Sequence, residues 1–254
     1  MTLKNRVKAF IAQIISLLGY EIRPIKPEIK PVEYQEEDNL IWETIKSETM
    51  TSFLNFWFLL KSVDYLIENN IRGSLVECGV WRGGSSMAIA LRLVQHKSLE
   101  EDIYLFDTFS GMVAPSSIDI DTQTGISASD LLSNAPANSW ILAKATMSVV
   151  QENMNRTHYP KTKIHYIVGD VLKTLPTTNI ESIALLRLDT DWYESTLTEL
   201  KYLLPHLAKG GICIIDDYGH WDGCRRAVQE YFSTSGFKPL LFHVDYTCRA
   251  FVKV

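Results

Sequence analysis

The chain has 254 residues, 46% apolar and 22% charged, the balance of an ordinary globular protein that needs no disulfide or metal staple to build a core. A formal net charge of −5 without any concentrated Lys/Arg stretch argues against a nucleic-acid partner, which would need a basic footprint for its phosphates.

In chain order, Lys4, Arg6 and Lys8 precede an apolar run that is too short to span a bilayer and lacks a small-residue cleavage site, so no transmembrane segment is expected. Leu3, Val7, Phe10, Ile11, Ile14, Ile15 and Leu18 recur at helical spacing. This stripe reads as a packing helix at a homo-oligomer contact or, alternatively, as a helix lying on a membrane surface. Residues 23–37, with Pro24, Pro27 and Pro31, read as a linker. The expected division is therefore a helix and linker over 1–40 and one domain over 41–254. Four cysteines without C-x-x-C spacing point to small buried side chains in a reducing, cytoplasmic setting.

An apolar helix is expected over 49–69, closed by Asn69-Asn70. Strands at 74–78, 103–106, 164–168, 183–188 and 211–215 then alternate with helices at 85–95, 141–155, 194–204 and 223–233. The strands are apolar on both faces, as parallel strands covered on both sides must be. The pattern predicts a Rossmann-like α/β sheet with helices on both faces. Two last runs, 238–244 and 249–254, predict a closing hairpin at the sheet edge. Residues 112–139 break the rhythm with Ser, Ala, Asp, Thr and Asn. They follow the second strand at the sheet's carboxyl edge and read as a lid insertion, with an exposed loop as the alternative.

The first strand runs into Glu77-Cys78-Gly79-Val80-Trp81-Arg82-Gly83-Gly84, where glycines let backbone approach a ligand closely. The spacing is not the G-x-G-x-x-G of a nicotinamide site, which argues against an NAD-dependent oxidoreductase. The second strand ends in Asp107-Thr108-Phe109-Ser110-Gly111, placing a carboxylate where ribose hydroxyls would lie. Asp170, after the third strand, either reads an adenine amino group or caps the next turn. The fourth strand ends in Asp189-Thr190-Asp191 and the fifth in Asp216-Asp217-Tyr218-Gly219-His220. Asp189 and Asp191 share a face if that segment stays extended. Four convergent carboxylates would repel unless a cation lay between them, and an all-oxygen set favours Mg²⁺ or Ca²⁺. Helix capping by Asp189 and Asp216 would account for one or two of them, not for both pairs.

The Val-Trp-Arg-Gly-Gly, Asp-Thr-Phe-Ser-Gly, Leu-Arg-Leu-Asp-Thr-Asp and Ile-Ile-Asp-Asp-Tyr strings resemble, in this order over about 49–254, the macrocin O-methyltransferase family. That resemblance implies a class I methyltransferase sheet and S-adenosylmethionine- and Mg²⁺-dependent transfer of a methyl group to a sugar hydroxyl of a glycosylated natural product. It implies that Glu77, Gly79 and Trp81 line the methionine side of the cofactor, and that Asp107 and Ser110 hold the ribose. Val80, Thr108, Asp170 and Asp189 complete the expected cofactor set. Asp191, Asp216 and Asp217 are the implied metal ligands, with Asp191, or alternatively His220, as the base. A catechol-type diol acceptor and a non-catalytic cofactor-binding partner protein are the competing readings.

Overall fold

The computed structural model of the protein describes residues 30–254, and the N-terminal helix expected from the sequence lies outside them. One compact unit runs from Glu36 to Val254. It opens with α1 (Glu36–Ile45) and α2 (Phe53–Glu68), followed by β1 (Ser74–Cys78), α3 (Gly84–Gln95) and β2 (Ile103–Asp107). The insertion then carries the short α4 (Ala128–Ser133), and α5 (Met147–Asn155), β3 (Ile164–Val168) and α6 (Val171–Thr174) follow. The chain closes with β4 (Ile183–Leu188), α7 (Tyr193–Tyr202), β5 (Leu207–Ile215), α8 (Asp222–Thr234), β6 (Phe242–His243) and β7 (Arg249–Val252).

The seven strands form one sheet in the order β3-β2-β1-β4-β5-β7-β6. β1 to β5 run parallel, and β7 is antiparallel to both β5 and β6, the closing hairpin expected from the sequence. Every residue of β4 is buried, which is why its sequence, Arg187 apart, is apolar without alternation. Val76, Cys78, Leu186, Leu188, Cys213 and Ile215 turn to one face and pack with Trp192, Leu200 and Val228 of the α7–α8 layer. The other parity, with Leu75, Glu77, Leu185, Arg187 and Ile214, turns to the layer of α1, α2, α3 and α5.

Three local features depart from the sequence expectation. A helix over 36–45 begins at the end of the segment expected as a linker and runs into the domain, where no helix is expected before residue 49. Ile41 and Ile45 are one turn apart and buried, and Asp38 is fully buried against Arg92 of α3 at 2.5 Å. The helix expected over 141–155 begins only at Met147, because Ala143 takes a φ of 43° after a single 3-10 turn at Trp140–Leu142. The 112–139 insertion is tied down along its length. Its Asp119 is fully buried and accepts hydrogen bonds from the Ser116 N–H at 2.6 Å and the Tyr193 N–H at 2.8 Å, capping the open N-terminus of α7. The Trp192 indole donates to the Val113 carbonyl at 3.1 Å, and the Thr122 hydroxyl donates to the Gly219 carbonyl at 2.8 Å.

Candidate active site

The tips of β1, β2, β3 and β4 open into one cleft at the carboxyl edge of the sheet, as the crevice rule for such sheets requires. It is open to solvent at its mouth and lined by apolar side chains with a few polar groups, as small-molecule sites are. The floor is the β1 turn, Gly79-Val80-Trp81. Gly79 has a φ of +82°, and a Cβ there would lie 1.9 Å from the carbonyl oxygen of Asp189, so only glycine lets the turn seat against the tip of β4. Asp107 locks the turn in place. Its Oδ2 accepts from the Val80 and Trp81 N–H groups at 2.7 and 3.1 Å, and its Oδ1 accepts from the Phe109 N–H at 2.7 Å. Oδ2 spends both of its acceptor sites on the turn, while Oδ1 accepts one backbone bond and keeps capacity for a ligand hydroxyl.

Thr108, Asp170 and Asp189 also line this cleft, with Phe106, Met112, Val113, Trp140 and Ile141 as apolar walls. The capping reading of Asp170 holds, since its carboxylate accepts from the Leu172 N–H at 3.0 Å at the start of α6, and the residue also lines the cleft. Ser110 is exposed and lines a neighbouring depression with Trp81, Arg82 and Lys144. Glu77 is 2% exposed and turned inward, accepting from Arg187 Nη1 at 2.8 Å and from the Ser86 hydroxyl.

Arg187 is the residue the sequence reading passed over. It is fully buried in β4, level with Glu77 in the register of β1 and β4 and with Ile214 in that of β4 and β5. Period-two alternation therefore puts Glu77, Asp189 and Asp216 on its side of the sheet. Nη1 donates to Glu77 and Asp189, while Nη2 reaches Asp216 Oδ2 at 3.0 Å and the Thr51 hydroxyl at 2.9 Å. One guanidinium thus ties the glycine turn, the tips of β4 and β5, and the start of α2 together. An arginine within an otherwise apolar buried strand is the signal that could have marked it.

Asp189, Asp191 and Asp217 each offer a carboxylate oxygen within 4.8 Å of the others. Asp216 is directed elsewhere, to Arg187 and to the Asn55 amide. The tip of β4 is not extended. Asp191 has a φ of +69° and the Trp192 N–H donates to the Thr190 carbonyl at 2.8 Å, a γ-turn that swings Asp191 toward its neighbours. Burial, and then the charge of Asp189, push the Asp191 carboxyl up to about 7, against hydrogen bonds from Asp217 and, more weakly, Trp221 that favour its anion. Burial and the charge of Asp191 likewise raise Asp217, and burial raises Asp189 although Arg187 opposes it. Asp217 Oδ2 is buried with no hydrogen-bond partner. Three oxygen donors, raised affinities for protons and an orphaned carboxylate oxygen fit a hard divalent cation. His220 lies outside the cleft lining, its Nδ1 2.8 Å from the Tyr246 hydroxyl and its ring edge-on to Trp221. Burial lowers its proton affinity, opposed by the charge of Asp121.

The fold matches the solved O-methyltransferase NovP with a TM-score of 0.71 at 28% identity, covering 82% of each chain. Sheet order and cleft together define the class: a Rossmann-like, S-adenosylmethionine-dependent O-methyltransferase. The chain belongs to the macrocin O-methyltransferase (TylF) family, whose model matches residues 38–253. Among curated relatives it is 29% identical over 240 residues to the 8-demethyl-8-(2,3-dimethoxy-α-L-rhamnosyl)-tetracenomycin-C 4'-O-methyltransferase of Streptomyces olivaceus, covering 92% of this chain and 87% of that one. It is 31% identical over 199 residues to the demethyldecarbamoylnovobiocin O-methyltransferase of Streptomyces niveus, covering 78% of this chain and 73% of that one. Among the described residues no helix is long and apolar enough to cross a membrane.

Proposed function

We propose that this enzyme methylates a sugar hydroxyl of a glycosylated small molecule, with a divalent cation, Mg²⁺ by its chemistry, held by Asp189, Asp191 and Asp217. The observation that carries the reading is the convergence of these three carboxylates on one another, with Asp189 and Asp191 lining the cleft that the glycine turn and Asp107 also line. The relatives' names support a sugar acceptor, since one of them acts on a rhamnosyl group.

S-Adenosylmethionine, when bound, supplies the electrophilic methyl group, and the cation would make the acceptor oxygen easier to deprotonate. The protein's share is placement. The Gly79–Trp81 turn would hold the cofactor's methionine side, Asp107 its ribose and Asp170 its base, with Phe106, Met112 and Ile141 as apolar walls of the same cleft. Holding both reactants in line can supply several kcal/mol of the barrier reduction, about 7–11 kcal/mol at the ideal limit. Asp191 is the group that receives the acceptor proton, because it lines the cleft whereas His220 is turned to Tyr246. Four free buried cysteines support a reducing, cytoplasmic setting.

The test is methyl transfer from labelled S-adenosylmethionine to a panel of glycosides and catechols, in Mg²⁺ and in EDTA. Labelled glycoside in Mg²⁺ only is the expected result. Transfer to catechols alone would replace the sugar acceptor with a chelating diol, and full activity in EDTA would remove the cation.

A further inference from the structure

α7 carries a buried acid that the reaction scheme above does not use. Glu199 is fully buried; its Oε1 accepts from the Thr190 hydroxyl at 2.7 Å, and its Oε2 has no partner. One helical turn earlier, the Ser195 hydroxyl is shared between the Trp192 carbonyl at 3.0 Å and the Thr190 carbonyl at 3.2 Å. Residues 195 and 199 therefore grip both polar ends of Thr190 from one face of the helix. Thr190 is the residue between the two β4-tip aspartates, and its carbonyl closes the γ-turn that gives Asp191 its φ of +69°. A non-glycine residue with positive φ in such a turn is strained and persists only where its surroundings over-determine it.

We propose that Ser195 and Glu199 are positioning residues, a clamp on Thr190 that holds Asp191 in the strained turn and so sets the spacing of the Asp189, Asp191 and Asp217 carboxylates. The clamp's functional consequence rests on the cation reading above; its effect on the turn does not. Burial raises the proton affinity of Glu199, and glutamine, which keeps an acceptor oxygen for the Thr190 hydroxyl, is its conservative substitute.

The test uses the full chain, Mn²⁺ as the probe, and three variants. Thr190→Val removes the donor while keeping the branched shape, Glu199→Leu removes the acceptor, and Glu199→Gln keeps it. Binding is followed by electron paramagnetic resonance and fold by thermal unfolding, with crystal structures of the wild type and Thr190→Val. Partners that orient metal ligands typically govern about 10–100-fold in affinity. Thr190→Val and Glu199→Leu should weaken Mn²⁺ binding to that extent, Glu199→Gln should stay within about threefold of wild type, and Asp191 should leave the left-handed region in Thr190→Val. Wild-type affinity in Thr190→Val together with an unchanged Asp191 backbone would overturn the clamp, even if Glu199→Leu failed to fold. If the wild type bound no Mn²⁺, the cation reading would fall. The clamp would then be decided by the crystal structures, sustained by a shifted Asp191 and overturned by an unchanged one.

Discussion

Replacing Arg187 by methionine fills a similar volume but strips the one cation from among Glu77, Asp189 and Asp216. In the native protein the guanidinium is fully buried, 2.8 Å from Glu77 and 3.0 Å from Asp216, and it also donates to Asp189 and, at 2.9 Å, to Thr51. Removing one side of a buried ion cluster destabilises by about 3–5 kcal/mol, because the orphaned charges stay out of water. The loss should depend on pH. Burial already raises Glu77 and Asp189 while Arg187 pulls them down, so the variant moves both further up. A carboxyl whose folded pKa exceeds its unfolded value favours the folded state while protonated, and that contribution is lost as pH rises through the folded value. Urea unfolding should therefore show the full deficit near pH 8 and a smaller one near about pH 5.5. A deficit below about 1 kcal/mol, or one equal at both pH values, would refute the buried-hub account.

Gly79→Ala should cost about 2–4 kcal/mol and weaken S-adenosylmethionine binding, since the new methyl would meet the Asp189 carbonyl in a left-handed turn; near-native stability in urea would contradict that packing. Asp119→Ala removes the acceptor for Ser116 and Tyr193 and should expose 112–139 to limited proteolysis, with about 1–3 kcal/mol lost; an unchanged digestion pattern would show that other contacts hold the insertion. Mg²⁺ should raise the melting temperature more near pH 8 than near about pH 5.5. Asp191, held up to about 7, keeps its proton at the lower pH and is an ionised, repelling neighbour at the higher one. A pH-independent shift, or none, would count against the triad as the site.

Much of this was legible in the sequence for a physical reason. A parallel strand buried on both faces, such as β4, has to be apolar except where a buried charge is paired, as Arg187 is, so the strand–helix rhythm shows directly. The paired aspartates at the tips of β4 and β5 were visible for the same reason, as polar residues ending apolar runs. Which of them converge was not. The extended β4 tip assumed from alternation gives way to a γ-turn at Asp191, and Asp216 is drawn off by Arg187 and Asn55. Both depend on cross-strand register and on α2, neither of which a single sequence displays. α1 was hidden by the prolines and charges before it, because its stability comes from Asp38 meeting Arg92 and from Ile41 and Ile45 rather than from local propensity. The insertion looked loose because Asp119, its anchor, resembles any loop aspartate until Tyr193 is placed beside it.

The central claim is that one cleft holds the cofactor at the β1–β2 tips and performs acceptor chemistry at the β4–β5 tips. Calorimetry of S-adenosylmethionine binding to cofactor-stripped wild type, Asp107→Ala and Asp191→Asn, paired with turnover of an accepted glycoside, tests it most directly. The account predicts that Asp107→Ala loses about tenfold or more in affinity, a difference of 1.4 kcal/mol. It predicts that Asp191→Asn binds as the wild type does but turns over about 10²–10⁴-fold more slowly. Equal binding by Asp107→Ala, or cofactor binding lost with Asp191→Asn, would contradict this division of the cleft.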